Sequence, residues 1–137
     1  FQAVNLRVLG DAIVNSGAAL GFALSGLSTG VGTRIDLGLQ RATAELLTAR
    51  HQRNHAPVII LLTDGRPSGG SEGGALAAGR DARGLGFAVY TIGFGADADM
   101  GVLSLIAGRH DRTFFAPSAG ALTQIYQQIA GKVLCEP

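Results

Sequence analysis

Val58-Ile59-Ile60-Leu61-Leu62-Thr63-Asp64-Gly65 is the stretch on which the fold turns. Five apolar residues in a row, two of them β-branched isoleucines and one a valine, suit a strand buried on both faces, as in a parallel sheet. The run is far too short for a membrane helix, which needs roughly 20 apolar residues. Asp64-Gly65 closes it with a turn signal. Upstream, Ile35, Leu39, Ala42 and Leu46 recur at helical spacing, which predicts a helix from Thr33 to about Arg50. Thr33 stands where an N-cap belongs, with Asp36 three residues on as an acidic variant of the capping box. Downstream, a weaker helix is expected over Glu72 to Arg83, closed by Gly84 and Gly86. A strand over Phe87 to Gly95 follows. Asp99 is placed to cap a short helix through Leu103 and Ile106 that ends at Gly108. Thr113 to Ala116 reads as a brief strand. Ser118 precedes a last helix whose apolar face is Leu122, Ile125, Tyr126, Ile129 and Val133.

Strands alternating with helices imply right-handed crossovers and a parallel sheet covered on both sides. The expected class is therefore α/β: a Rossmann-like, doubly wound, mainly parallel sheet with helices on both faces. Ligands of such sheets sit at the carboxyl ends of the strands. Asp64 and the glycine-rich segment Gly65 to Gly74 lie at one such end, and Asp97 and Asp99 at another. The first thirty residues are less patterned. Leu6 to Val14 reads as a helix running into a strand at Ala12 to Val14, Ala18 to Leu24 as a second strand, and Ser25 to Gly32 as a loop.

Bulk composition narrows the class further. With 137 residues, a single domain over residues 1–137 is expected. At 47% hydrophobic residues with net charge +1, the chain is outside the disordered range. The basic residues are scattered rather than clustered and aromatics are few, which argues against nucleic-acid binding. The lone Cys135 permits no intrachain disulfide. His51, His55 and His110 have no ligand-like spacing. Ser68 and Ser71 lack a nucleophile elbow. The glycine-rich segment lacks the lysine of a phosphate loop. Asp97 and Asp99 fit helix capping better than acid–base work.

The stretch Gly32 to Asp36, the helix after it, the Val58 to Gly65 strand and turn, and Val89-Tyr90-Thr91-Ile92-Gly93-Phe94-Gly95 together resemble the middle of a von Willebrand factor type A (vWA) domain of bacterial type. Ile106-Ala107-Gly108, Phe114-Phe115-Ala116 and Leu122 to Ala130 are similar to the family's closing segment. The resemblance covers roughly Asn15 to Val133. It implies a binding module rather than an enzyme, with a metal-ion-dependent adhesion site at the top of the sheet. Mg²⁺ (or Mn²⁺ or Ca²⁺) is held there by three loops, and a protein partner's carboxylate completes the shell. Thr33 matches the threonine of the second loop and Asp64 the aspartate of the third. Mg²⁺ prefers such hard oxygen ligands. The first loop's D-x-S-x-S has no match, because none of the seven aspartates (Asp11, Asp36, Asp64, Asp81, Asp97, Asp99, Asp111) is followed two residues on by serine.

The domain is thus expected to be truncated or deleted at its N-terminal side, with the family's central strand missing. Its cation affinity should be poor when the chain is alone. Val58 to Thr63 would then pair near Ala12 to Val14 or lie at an exposed edge. The resemblance leans towards a place outside the cytoplasm or at the cell surface and leaves the compartment open. Two other readings stand beside it: an α/β enzyme or phosphate-binding domain using the loop after Asp64, and a degenerate fragment without a ligand.

Overall fold

The computed structural model describes residues 32–49 and 55–135, and residues 32–137 group as one compact unit. The expected elements within residues 1–31 lie outside the described residues. The unit contains α1 (Ile35–Leu46), β1 (Val58–Thr63), α2 (Glu72–Gly84), β2 (Ala88–Phe94), α3 (Met100–Ala107), a 3-10 turn (His110–Arg112), β3 (Thr113–Ala116) and α4 (Ala119–Cys135). The three strands form a parallel sheet in the order β1-β2-β3. Ile60 pairs with Tyr90, Leu62 with Ile92, and Ile92 with Phe114.

Because side chains alternate along a strand, this register sorts the sheet into two cores. On one face Ile59, Leu61 and Val89 pack with Ile35 and Leu39 of α1, Ala75, Ala78 and Ala82 of α2, and Val102, Leu103 and Ile106 of α3. On the other face Tyr90, Ile92 and Ala116 pack with Ile125 and Ile129 of α4. Helices therefore cover both faces, as the α/β pattern requires. α2 and α3 are so close that a Cβ on Gly79 would lie 2.9 Å from the Ile106 carbonyl oxygen. Thr91, buried in β2, keeps its hydroxyl satisfied by donating to the Leu103 carbonyl at 3.1 Å, which ties α3 to the central strand.

Three expectations need correction. Helix α1 begins at Ile35, its flanking residue is Arg34, and no side chain caps it. Thr33 is drawn out of the cap position because its backbone is bonded across to Ser68, while Asp36 turns to Arg34 at 2.7 and 2.9 Å instead of reaching back. Tyr126 is 42% exposed rather than part of the apolar face of α4. β1 is not buried on both sides: Ile60 and Leu62 are 41% and 44% exposed. Among the described residues β1 stands at one end of the sheet, and α4 covers β2 more fully than it covers β1. The anticipated pairing with Ala12 to Val14 lies outside the described residues. Other expectations hold in detail: the Asp99 carboxylate accepts from the Val102 amide at 3.1 Å, and Gly108 ends α3 in the left-handed conformation.

Candidate functional site

The carboxyl end of β1 and the start of α1 meet in one place, and two loops build it. The first is the short approach to α1, Gly32 and Thr33. The second runs from Asp64 to Ser71, between β1 and α2. The Thr33 amide donates to the Ser68 hydroxyl at 2.7 Å, and the Ser68 amide donates to the Thr33 carbonyl at 3.1 Å. The Ser68 hydroxyl also lies 3.4 Å from that carbonyl. A residue 35 positions away in sequence thus grips both backbone groups of Thr33. The result brings the Thr33 hydroxyl over the turn after β1: a Cβ on Gly65 would lie 3.3 Å from Thr33 Oγ1. Within the second loop the Thr63 hydroxyl, buried at the strand end, bonds the Gly65 backbone, and the Ser71 hydroxyl donates to the Ser68 carbonyl at 2.6 Å.

The Thr33 hydroxyl therefore lies over Gly65, the residue that follows Asp64 in sequence. Among the described residues neither the Thr33 hydroxyl nor the exposed Asp64 carboxylate is spent on a hydrogen bond or ion pair. The cation closest in sequence, Arg66, is 74% exposed and lies 3.9 Å from Asp99, whose other oxygen caps α3. Asp36, at the beginning of α1, is committed as well. The Arg34 guanidinium beside it holds its carboxyl below the usual aspartate range, with burial opposing and the Leu37 amide helping. Asp64, by contrast, is exposed and makes no hydrogen bond or ion pair among the described residues.

A divalent cation that prefers oxygen suits these donors in kind. It is short of donors in number: one carboxylate and one hydroxyl, since the Ser68 hydroxyl already serves Thr33. Among the described residues no three His, Cys, Asp or Glu side chains are grouped to hold a metal. His55 is exposed. His110 is 3.1 Å from the Ser104 hydroxyl beside α3, far from this corner in the topology because it precedes β3 instead of following a strand. The role of Ser68 could not be read from sequence, because a clasp across 35 positions leaves no periodic trace.

Comparison with known proteins agrees with this architecture. No curated protein matches the chain. Among solved structures, proximal thread matrix protein 1 from the mussel byssus, with zinc in its metal-ion-dependent adhesion site motif, is 26% identical with a TM-score of 0.67 over 84% of this chain and 29% of that one. The pilus adhesin SpaC from Lactobacillus rhamnosus GG is 21% identical with a TM-score of 0.70, over 85% of this chain and 21% of its own. Manganese-loaded TRAP protein from Plasmodium vivax is 20% identical with a TM-score of 0.60, over 82% and 46%. The last two likenesses concern the fold, and this chain spans less than a third of the first two proteins. The family model of the von Willebrand factor type A domain matches residues 13–128. With that match across most of the sequence, the chain belongs to the von Willebrand factor type A domain family.

Proposed function

We propose that this chain is a protein-binding module that presents the carboxyl end of its sheet to a protein partner, and that it does not work as an enzyme. In this reading Thr33 and Asp64 are two of the oxygen ligands of a divalent cation, Mg²⁺, Mn²⁺ or Ca²⁺. The ligands of the D-x-S-x-S type come from outside this sequence. A bound cation would supply a Lewis-acidic point for a partner's carboxylate; the chain's own residues fix where that point is. The observation that carries the proposal is the uncommitted Thr33 hydroxyl lying over Gly65, the residue that follows the exposed Asp64 at the end of β1. The metals named for the mussel protein and for TRAP lend support. Against an enzyme stands the chemistry of the corner, where Asp64 has no base or acid partner among the described residues.

The test is Mn²⁺ titration followed by paramagnetic broadening of backbone NMR signals. With so few ligands, binding should fall in the weakest range for such oxygen sites, roughly millimolar. Signals of Thr33, Asp64 and Gly65 should broaden first and recover with EDTA. Broadening centred on Asp97 or Asp111 instead would sink the assignment. A melting shift of several degrees in Mg²⁺, of the size that a hundredfold excess over Kd gives through about 2.7 kcal/mol, would instead mean that the chain alone holds a complete site.

A further inference from the structure

We infer that Ser68 is the positioning residue of this corner: it holds Thr33 in the one place where its hydroxyl faces the Asp64-Gly65 turn. Three observations converge. Both backbone polar groups of Thr33 are bound by Ser68, the amide to its hydroxyl at 2.7 Å and the carbonyl by its amide at 3.1 Å. Neither bond belongs to a helix or to the sheet, so they serve the loop junction alone. Gly32, just before Thr33, sits at φ +87°, and a Cβ there would lie 2.7 Å from the Ser68 hydroxyl oxygen. Only glycine accepts both that backbone and that approach. The Ser68 carbonyl is itself anchored by the hydroxyl and amide of Ser71, at 2.6 and 3.2 Å. A chain of bonds thus runs from the first turn of α2 through Ser68 to Thr33.

The physical consequence follows from how α1 starts. It has no side-chain cap, so nothing local to α1 fixes Thr33. A threonine in an unheld loop would sample many backbone states, and ordering it on binding would cost affinity. The Ser68 clasp meets that cost in folding, before any ligand arrives. The inference rests on the proposed role of Thr33 for its functional meaning, but the clasp itself can be read without any metal.

Hydrogen exchange and Mn²⁺ broadening on the 137-residue chain separate the two. In Ser68→Ala the Thr33 amide should exchange at least tenfold faster than in the parent, while Leu39 within α1 and Ile92 within β2 keep their protection. Ser68→Thr, which retains the hydroxyl, should restore slow exchange at Thr33. Gly32→Ala should reproduce the Ser68→Ala result from the other side of the contact. Broadening of Thr33, Asp64 and Gly65 should require several-fold more Mn²⁺ in Ser68→Ala than in the parent. Unchanged exchange at Thr33 in Ser68→Ala would overturn the inference, as would loss of protection spread over Leu39 and Ile92, which marks a general structural role. If the parent shows no Mn²⁺ broadening while the exchange results hold, the clasp stands and only the cation reading fails.

Discussion

β1 and β2 are adjacent, parallel and nearly equal in apolar content, yet they live differently. β2 has five consecutive buried residues, Val89 to Gly93, and it sits between β1 and β3. β1 buries Ile59 on one face and leaves Ile60 and Leu62 on the other substantially exposed. The loops that follow them differ too. After β2, the Asp99 carboxylate is consumed in capping α3. After β1, Asp64 is left open and the loop is fixed through Ser68 instead. The lesson is a division of labour: the middle strand carries the stability of the unit, and the end of its neighbour carries the group available for binding.

Truncating both strands at paired positions puts that division to its hardest test. Ile92→Ala removes a fully buried side chain and should cost about 2–5 kcal/mol. Leu62 lies directly opposite in the register, and Leu62→Ala should cost less than about 1 kcal/mol because much of the side chain is already in water. Chemical denaturation of the two variants measures both. Equal losses would mean that Leu62 is covered in solution, and the contrast between the strands would collapse.

A second comparison is between carboxylates at the β1 end. Asp36 is largely buried beside the uncapped start of α1 and is held by Arg34, whereas Asp64 has no such partner. Arg34→Ala should therefore lower the midpoint of chemical denaturation modestly near neutral pH, because the arginine is half exposed and solvent screens the pair. The direction of the pH dependence is fixed by the lowered pKa of Asp36, whose carboxylate is held by the Arg34 guanidinium. Its folded value lies below the unfolded one of about 3.9. The contribution is therefore present in full above that unfolded value and is lost as pH falls through the folded one. Denaturation curves of the parent and of Arg34→Ala should converge in acid. A gap that persists unchanged in acid, where Asp36 is protonated in both states, would show that Arg34 acts by packing, not by pairing.

The same contrasts explain what was legible in the sequence. The strand Val58 to Thr63, the helix after Ser71, the cap at Asp99 and the stop at Gly108 all follow from local pattern, and local pattern held because nothing distant competes there. The burial of β1 was overestimated because an apolar run reports what a strand can tolerate and not how many neighbours it has. Thr33 was misread as a cap for a different reason. Its backbone bonds are taken by Ser68, a tertiary effect that overrides the propensity of a threonine before a helix. Tyr126 falls on the expected stripe of α4, but the core on that face closes on Ile125 and Ile129 and leaves it 42% exposed. The neighbourhood of Thr33 and Asp64 came from the family resemblance, not from spacing, since no periodicity links two loops separated by a helix and a strand.

The smallest expected effect is the most informative about function. Asp99→Ala should cost about 1 kcal/mol, the usual loss for a helix cap, and should free Arg66 from its contact. Asp64→Ala, on the corresponding loop of the neighbouring strand, should change stability by no more than about 0.5 kcal/mol, because the exposed carboxylate makes no bond among the described residues. If the division between the strands is real, these two aspartates have opposite signatures. Asp99→Ala lowers the melting temperature and leaves the Mn²⁺ broadening at Thr33 and Gly65 intact. Asp64→Ala leaves the melt alone and abolishes the broadening. A melt that drops for Asp64→Ala as far as for Asp99→Ala would show that the turn after β1 is held by its carboxylate after all. The group proposed as a ligand of the cation would then be a structural one.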